Sequence, residues 1–329
     1  MQVDAYVPKP DIMDIGDLAA EAEQMGFGGL WVTETVHSPY TQLTLAAEQT
    51  SEMDIGSAIA VAFPRSPMVT AYTAWDLQRI SGGRLVVGLG TQVKGHMERR
   101  FSVDFEWERP GPRLREYVQV LRHLWDAWEQ ETDVNYEGEF YNVTLCPDNF
   151  TPAPLDGPPP ELYVAGVNPF NLKLAGHLCD GLHIHPLHSP KYIEEMVVPN
   201  VETGAGIADR KLDGVTLSTQ VLAITGDDRE EAREDIRQQI GFYGSTRTYR
   251  DIFELHGWGD VVDTLHDLSK EGRWTELGDP ITEEMVETFS VEADWPDLRE
   301  TLENRYEYVD RVSLYTGFDG SEEWEHLTA

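Results

Sequence analysis

The sequence predicts an α/β protein folded as a single (β/α)8 barrel, the TIM-barrel architecture, with insertions. Apolar runs of strand length alternate along the chain with longer segments of helical period, which is the pattern of βαβ units and a parallel sheet. Eight such apolar runs occur, and eight is the number of strands that this barrel requires. The length of 329 residues suits one barrel of about 250 residues enlarged by insertions.

The predicted strands are rich in Val, Ile and Leu, as expected of parallel strands that are covered on both faces. They run Val3 to Val7, Gly29 to Thr33, Ile55 to Val61, Leu85 to Leu89, Leu162 to Val167, Gly181 to His185, Thr216 to Ile224 and Val312 to Thr316. The last strand is expected to pair with the first, because a barrel has no free edge.

Short polar motifs mark the ends of the helices between these strands. A capping side chain directly precedes a proline at three predicted helix starts, namely Ser66-Pro67, Asn168-Pro169 and Ser189-Pro190. Asp227 and Glu230 have the spacing of a capping box. Gly26 and Gly82 stand where a left-handed residue would end the first and third helices.

Two segments interrupt the alternation and are interpreted as insertions on the barrel. The first runs from about Glu131 to Pro160 and ends in a proline-rich loop, and the second runs from about Thr246 to Pro280 and holds a further helical segment. Neither a Gly/Ser linker nor an internal repeat divides the chain. The sequence therefore predicts one domain over residues 1–329.

The charge is strongly unbalanced. The chain has 59 acidic and 25 basic residues, a formal net charge of −34. Such a chain repels itself in dilute buffer, whereas molar salt shortens the Debye length to about 3 Å and screens the repulsion. The carboxylates are spread over the whole length rather than gathered in one acidic tail. The composition therefore indicates a protein adapted to a salt-rich cytoplasm.

The same composition argues against several classes of protein. Nucleic-acid binding requires a basic face, which this charge balance does not favour. Neither an apolar run long enough to span a bilayer nor a signal or transit peptide is visible, so a cytoplasmic protein without membrane partners is expected. The two cysteines, Cys146 and Cys179, lack the spacing of a zinc site or redox motif.

In a β/α barrel the active site is built from the loops that follow the strands. The second strand is followed by Glu34 and His37, and the third by Arg65. The loop after the fourth strand carries a larger group, Thr91, Gln92, Lys94 and His96, with Arg99 and Arg100 beyond it. The fifth strand leads into Ala165, Gly166, Val167 and Asn168, and the sixth into His185 and His188.

Three ordered motifs then resemble one family. They are IGSAIAVAFPRSP (residues 55–67), RLVVGLGTQ (residues 84–92) and LYVAGVNPFNLKLAGHLCDGLHIHP (residues 162–186), and the similarity continues through VDRVSLYTGF at the last strand. Together they resemble the luciferase-like superfamily, and most closely its branch that uses coenzyme F420, which includes methylenetetrahydromethanopterin reductases. The resemblance implies a barrel, usually a homodimer or higher homo-oligomer, that binds its cofactor ring at the carboxyl ends of the strands.

The resemblance also implies specific cofactor residues. The family's non-prolyl cis peptide after the third strand falls at Ala58-Ile59, where backbone would support the ring; read without the family, these residues are plain strand. Thr91 and Gln92 match the residues that bind the pyrimidine side of the ring. The segment from Ala165 to Asn168 matches cofactor-backbone contacts, and it opens a helix whose amides suit a phosphate.

Candidate catalytic residues follow from the same comparison. Glu34 matches an acidic residue of the reductases, and His37 follows it; both have side chains suited to proton transfer, although each also fits a rim residue that only hydrogen-bonds to backbone. His37, His96 and Arg65 are candidates for gripping or protonating the substrate. Some F420-dependent dehydrogenases carry a carboxylate where this chain has Val93, so an acid at that position is not expected.

Coenzyme F420 has a phosphate and an oligoglutamate tail, so a chain of this net charge needs a local positive patch to bind it. Seven basic residues against five acidic ones occur between Lys94 and Arg122, in the loop and helix after the fourth strand, and this local excess is expected at the barrel mouth. Lys94, Arg99 and Arg100, with Arg65, are predicted to bind that tail or an anionic substrate. The alternative is that Arg113, Arg115 and Arg122 lie on a solvated helix face.

Other functions remain open. An FMN-dependent monooxygenase on the same barrel is the main alternative, in which reduced flavin reacts with oxygen. A cofactor-free binding barrel is a second. His183 and His185 share one face of a strand, as in metal-dependent hydrolases, but further ligands are missing, so no metal site is expected.

Overall fold

The structure is a computed structural model that describes residues 1–103 and 109–328. Eight parallel strands form a closed barrel, as predicted. They are β1 Gln2–Val7, β2 Gly29–Val32, β3 Asp54–Ser57 continued by Ala60–Val61, β4 Leu85–Gly90, β5 Glu161–Gly166, β6 Gly181–Ile184, β7 Thr216–Ile224 and β8 Arg311–Leu314.

The barrel closes between its last and first strands, which confirms the predicted pairing. Residues 2–4 of β1 align with residues 311–313 of β8. On its other edge β8 pairs with β7, and β7 in turn pairs with β6, so no barrel strand has a free edge. The strands are almost entirely buried because helices cover their outer faces.

The α-helices lie between and beyond these strands. They are α1 Ile15–Met25, α2 Pro39–Gln49, α3 Pro67–Ile80, α4 Lys94–Arg99, α5 Pro110–Glu129, α6 Pro169–Leu178, α7 Pro190–Tyr192, α8 Val198–Ile207, α9 Arg229–Gly244, α10 Arg250–Glu254, α11 Gly259–Lys270, α12 Glu283–Phe289 and α13 Trp295–Arg305. A π-helical turn, Ile193–Val197, joins α7 to α8. None of the helices in the described residues could span a membrane.

The predicted helix signals are confirmed in most cases. The hydroxyls of Ser66 and Ser189 accept hydrogen bonds from the backbone of the helices they precede. Gly26 and Gly82 are left-handed, with φ of +89° and +69°. The capping box at Asp227 is wrong, because α9 begins at Arg229 and its N-cap, Asp228, makes no side-chain capping bond. Asn168 occupies the N-cap of α6 but makes no capping bond either.

The segment predicted as the first insertion packs against the outside of the barrel. It contains a short antiparallel pair, Tyr136–Glu137 with Asn142–Val143. The Glu116 carboxylate of α5 accepts three backbone N–H groups of this segment at 2.7 to 3.0 Å. Because one buried carboxylate satisfies three amides, it holds the loop firmly to α5.

The second excursion from the barrel begins earlier than predicted. β7 extends past its neighbours, and its end pairs with a short parallel strand, Ser290–Glu292. Everything between Ile224 and Ser290, including α9, therefore leaves the barrel and returns to it. From the sequence, α9 was interpreted as the barrel helix that follows the seventh strand, because its apolar residues recur with the period of an ordinary barrel helix. In the structure, α13 is the helix that directly precedes β8, so it and not α9 is the barrel helix between β7 and β8.

Salt should stabilise this fold. Surface arginines such as Arg229 and Arg233 already lie between carboxylates, yet acidic residues outnumber basic ones by 59 to 25 and leave a net charge of −34. Between roughly 0.05 M and molar KCl the Debye length falls to about 3 Å, so repulsion is screened and the melting temperature should rise markedly. Calorimetry would measure it, and a flat or falling melting temperature would count against salt adaptation. Sulfate is unsuitable because it also strengthens apolar burial.

Candidate active site at the barrel mouth

The carboxyl ends of the strands form an open mouth lined by half-exposed residues. Ala58, Ile59, Thr91, Gln92, Ala165 and Val167 are partly exposed, whereas the strand residues just below them are buried. Six of the eight predicted cofactor residues are therefore partly accessible at this end of the barrel. Of the other two, Gly166 is buried and Asn168 is exposed. The mouth thus presents backbone and small side chains, a surface that suits a flat ring.

The third strand is interrupted by a bulge at the mouth. The Ala58-Ile59 peptide is cis, as the family resemblance implied. The Ala58 N–H donates to the Val32 carbonyl at 2.8 Å, and the Glu34 N–H donates to the Ile59 carbonyl at 3.3 Å. A Cβ on Gly90 would lie 2.8 Å from the Ile59 side chain, so the glycine leaves room for the bulge. The end of β2 therefore holds the bulge through hydrogen bonds, and Gly90 at the end of β4 leaves space for it.

Glu34 and Arg65 form a two-pronged ion pair beside this bulge. The guanidinium donates to both carboxylate oxygens at 2.8 and 2.9 Å, and the Val61 N–H donates to the same carboxylate at 2.7 Å. Arg65 also lies over the Tyr40 ring at 5.1 Å. The Glu34 side chain is only 7% exposed. Through the bond to Val61, this ion pair stabilises the bulge, and we call it the Glu34–Arg65 brace. The charged groups of both residues are bound to each other.

The end of β4 turns sharply at Gln92, which has a left-handed φ of +59°. Its side-chain oxygen accepts the Val93 N–H at 3.0 Å, and the Thr91 hydroxyl donates to the Gln92 carbonyl at 3.2 Å. These local bonds stabilise a conformation that L-residues seldom adopt. The helix α4 begins directly after this turn, at Lys94.

The start of α6 offers free backbone donors. Asn171 donates to the Ala165 carbonyl at 3.1 Å, and the Tyr192 hydroxyl donates to the Val167 carbonyl at 2.5 Å. These bonds fix the loop after β5, while the first-turn amides of α6 have no intrahelical acceptor. The Asn168 side chain does not cap them. An anionic group could therefore bind there.

The remaining predicted residues lie on the rim. His37 is half-buried, while His96 is exposed on α4 together with Lys94, Arg99 and Arg100. Lys94 is 3.7 Å from Glu98, and Arg100 donates to the Thr35 carbonyl on the loop after β2. Arg100 thus connects α4 to the loop that carries His37. The structure brings these side chains to the same end of the barrel but not into direct contact with one another.

The predicted basic patch is smaller than the sequence indicated. Arg122 pairs at 2.5 Å with Asp180, whose carboxylate also accepts the Leu162 N–H at the start of β5. It therefore lies at the opposite end of the barrel, so its placement at the mouth is wrong. The reason is that α5 runs the full height of the barrel. Arg109 pairs with Glu139, and three acidic residues of this stretch lie outside the described residues (Asp104, Glu106 and Glu108).

The sequence matches the luciferase-like monooxygenase family over residues 2–311. The chain belongs to that family. An uncharacterized protein of Mycobacterium tuberculosis is 40% identical over 95% of this chain and 92% of its own length. A 5,10-methylenetetrahydromethanopterin reductase of Archaeoglobus fulgidus is 27% identical over 90% of this chain and 87% of its own length. Both alignments span nearly the whole barrel.

A solved structure supports the luciferase-like fold independently. The coenzyme F420-dependent tetrahydromethanopterin reductase from Methanopyrus kandleri superposes with a TM-score of 0.79, at 23% identity. The superposition covers 100% of this chain and 97% of the other. At this identity the comparison establishes the barrel architecture. Family membership in turn shows that the chain is a luciferase-like oxidoreductase.

The three histidines near β6 of this luciferase-like barrel do not form a metal site. Among the described residues no cluster of three metal-binding side chains occurs. His183 lies inside the barrel between Trp31 and Tyr163, at ring distances of 5.1 and 5.2 Å. Burial lowers the pKa of His183 to about 3 and that of His188 to about 4. Both are therefore neutral core residues at physiological pH.

Those lowered pKa values predict an acid-sensitive fold. Between the ordinary His pKa of about 6.5 and the folded value of about 3, the unfolded chain binds a proton that folded His183 cannot. Stability from this residue is thus present above about pH 6.5 and is lost as the pH falls. From pH 6.5 to 5 the loss should be about 2 kcal/mol, because each pH unit is worth about 1.4 kcal/mol.

Urea unfolding of wild type and His183→Gln at both pH values would measure this loss. The wild type should lose about 2 kcal/mol more than the variant, since carboxylate protonation affects both proteins alike. His326→Gln, at an exposed position, is the matched control and should behave as wild type. Equal pH dependence of the wild type and the His183 variant would contradict a buried, neutral His183.

Sequence reasoning missed a group of aromatic residues at the same mouth. Tyr6 is the penultimate residue of β1, and its ring stacks at 6.2 Å on that of Tyr315, which directly follows β8. Tyr243 and Tyr249 come from the excursion between β7 and β8, and both contact His185. Tyr315 was placed inside the eighth predicted strand, Val312 to Thr316, whereas the observed strand ends at Leu314 and leaves Tyr315 just beyond it. No sequence signal marks Tyr243 or Tyr249, because only the path of the excursion brings them there.

Proposed function

We propose that this luciferase-like protein is an F420-dependent oxidoreductase that transfers a hydride between the deazaflavin and an organic substrate. The observation that carries the choice of cofactor is a positive rim on a very acidic protein. Lys94, Arg99 and Arg100 project from α4, next to the strand ends that line the mouth. An anionic tail would find compensating charge there. The similarity to a methylenetetrahydromethanopterin reductase across most of the chain adds support.

The residues at the mouth fit such a cofactor. The half-exposed backbone of Ala58 and Ile59 offers a flat support, and Gly90 leaves the space that the bulge needs. Thr91 and Gln92 adjoin it on the next strand and would contact the ring edge. The uncapped start of α6, at Gly166 to Asn168, would take the phosphate through its free amides.

When bound, F420 would supply the hydride or accept it. The chain's own contribution is to hold the ring against the bulge and the substrate against the ring's other face. Orientation of two reactants in this way supplies much of the rate enhancement, since it removes the entropy cost of their encounter. The Glu34–Arg65 brace keeps the bulge in place during this step. His37 and His96 are the candidates to exchange a proton with the substrate at the rim.

An FMN-dependent monooxygenase is the second candidate, because the matching family is described as luciferase-like monooxygenase. FMN carries a single phosphate, so it would need the start of α6 but not the arginines of α4. Only the F420-dependent candidate therefore requires the basic side chains of the rim for cofactor binding. We also propose that the protein works in a salt-rich cytoplasm and that it forms a homodimer or higher homo-oligomer.

Calorimetric titration in molar KCl tests the proposal. The full-length protein would be titrated with F420, FMN and a tail-free deazaflavin. F420 should bind most tightly, because only it carries both the ring and the long anionic tail. Preferential binding of FMN with oxygen-dependent turnover would favour the monooxygenase, and failure of every cofactor to bind would overturn both candidates.

A further inference from the structure

The aromatic group at the mouth contains two hydroxyl protons for which the described residues provide no acceptor. It consists of His185 after β6, Tyr243 at the end of α9, Tyr249 before α10 and Tyr315 after β8, and we call it the mouth tetrad. His185 lies 4.5 Å from the Tyr243 ring and 4.4 Å from the Tyr249 ring, measured between centroids. The Tyr243 hydroxyl donates to the Tyr315 hydroxyl at 2.7 Å. The four side chains therefore form one connected unit.

The hydrogen bonds of His185 fix its tautomer. The Leu187 N–H donates to Nδ1 at 3.1 Å, so Nδ1 carries no proton. Burial, with a smaller effect of His188, lowers the pKa of His185 to about 3, so the ring is neutral. The one ring proton must then lie on Nε2, which is 3.0 Å from the Tyr249 hydroxyl oxygen. His185 is therefore the donor and Tyr249 the acceptor.

This assignment leaves the Tyr249 proton free. The hydroxyl oxygen already accepts from His185, and among the described residues its O–H has no other partner. Burial raises the pKa of Tyr249 to about 12, so the proton stays on the oxygen near neutral pH. Tyr249 is thus a donor whose acceptor is not supplied by the described part of the chain.

The hydrogen bonds of Tyr315 lead to the same conclusion. Its hydroxyl accepts from Tyr243, and within residues 1–103 and 109–328 its own proton has no acceptor. Burial raises the pKa of Tyr243 well above its ordinary value, which keeps that residue a donor. Tyr243 and His185 therefore act as positioning residues. Each donates a hydrogen bond to the hydroxyl oxygen of a tyrosine, so the proton of that tyrosine points away from the donor.

Tyr315 packs next to the bulge, and Tyr249 lies near enough to Tyr315 for the two hydroxyls to interact electrostatically. Tyr315 and Ala58 pack against the same set of interior residues, Tyr6, Trp31, Val86 and Tyr163. A molecule lying over that set would contact the bulge on one side and the tetrad on the other. Both available donors are uncharged, and the surrounding protein is strongly acidic, so an anion would gain little there.

We propose that Tyr249 and Tyr315 donate hydrogen bonds to an uncharged acceptor oxygen of the substrate, such as a ketone or amide carbonyl. This inference deepens the proposed function and rests on it, because it defines the substrate side of the same mouth. The excursion between β7 and β8 supplies Tyr243 and Tyr249, so it is part of the substrate site.

A pair of isosteric probes tests the donors directly. Acetophenone and α-methylstyrene have the same shape, but only the first has a carbonyl oxygen. Ligand-observed NMR on the full-length protein, with and without F420, would give both dissociation constants. The wild type should bind acetophenone about tenfold more tightly, since an additional satisfied hydrogen bond contributes an effect of about this size.

Variants separate binding from structure. Tyr249→Phe and Tyr315→Phe should each reduce the carbonyl preference and together abolish it, with binding of α-methylstyrene unchanged. His185→Gln should reduce the preference by releasing the Tyr249 hydroxyl. Tyr72→Phe is the control, because the Tyr72 hydroxyl donates to the Phe150 carbonyl in the 131–160 segment and should not affect the preference.

Two results would overturn the inference. One is an unchanged carbonyl preference in the double tyrosine variant, and the other is tighter binding of benzoate than of acetophenone. Failure of the proposed function is a separate result, because it appears as loss of F420 binding while the probe preference of the protein without cofactor persists.

Discussion

Replacing Arg311 with methionine is expected to destabilise the barrel by about 3–5 kcal/mol, the usual cost of leaving one partner of a buried ion pair alone. Arg311 on β8 donates twice to Asp4 on β1, at 2.8 and 2.9 Å, and once to Asp54 on β3 at 2.6 Å. Asp4 is completely buried. Burial raises the pKa of Asp4 against the opposing effect of Arg311, so the variant must bury an unpaired carboxylate or protonate it.

Urea unfolding in molar KCl would measure the loss. Arg273→Met is the matched control, because Arg273 pairs with Glu271 and Glu276 in solvent at the surface and should contribute little to stability. The double variant Asp4→Leu/Arg311→Met should recover part of the stability, since it leaves no buried charge. A loss for Arg311→Met no larger than that of the surface control would contradict the role assigned to this pair.

Reversing two charges on α4, in Arg99→Glu/Arg100→Glu, is expected to weaken F420 binding by at least about tenfold. Contacts between a guanidinium and an anionic group contribute roughly 1.5–3 kcal/mol each, or about tenfold to hundredfold. Both arginines are exposed at the rim. Binding of a tail-free deazaflavin should change less than about twofold, because only the long tail would reach them. Calorimetry with both ligands would measure the difference.

The matched control is Lys211→Glu/Lys270→Glu, which changes the net charge equally at exposed positions away from α4. It should leave the affinities for both ligands close to wild type. If the arginine variant loses equal affinity for F420 and for the tail-free deazaflavin, the two arginines do not contact the tail.

The barrel itself could be predicted from the sequence, because apolar strands and helix caps are local signals. All eight strands were placed within a few residues of their observed bounds, and even the interruption at Ala58-Ile59 followed from the family motif. The excursion after β7 was not fully predicted. Its first helix, α9, has the same period as a barrel helix, and its departure depends on tertiary packing.

The site could be predicted as a set of residues but not as an arrangement. Glu34 and Arg65 were both singled out, yet their pairing required the bulge geometry that brings them to 2.8 Å. Arg122 was grouped with the mouth because sequence proximity hides the length of α5. Tyr243 and Tyr249 were missed because they are distant in sequence from every strand end.

The most direct test of the central claim is a crystal structure of the protein with F420, grown in molar KCl. We expect the ring within about 4 Å of Ala58 and Ile59, the distance of van der Waals contact, with the phosphate at the start of α6 and the tail towards Arg99 and Arg100. A ring bound away from the third-strand bulge, or a tail directed away from α4, would contradict the proposed cofactor site.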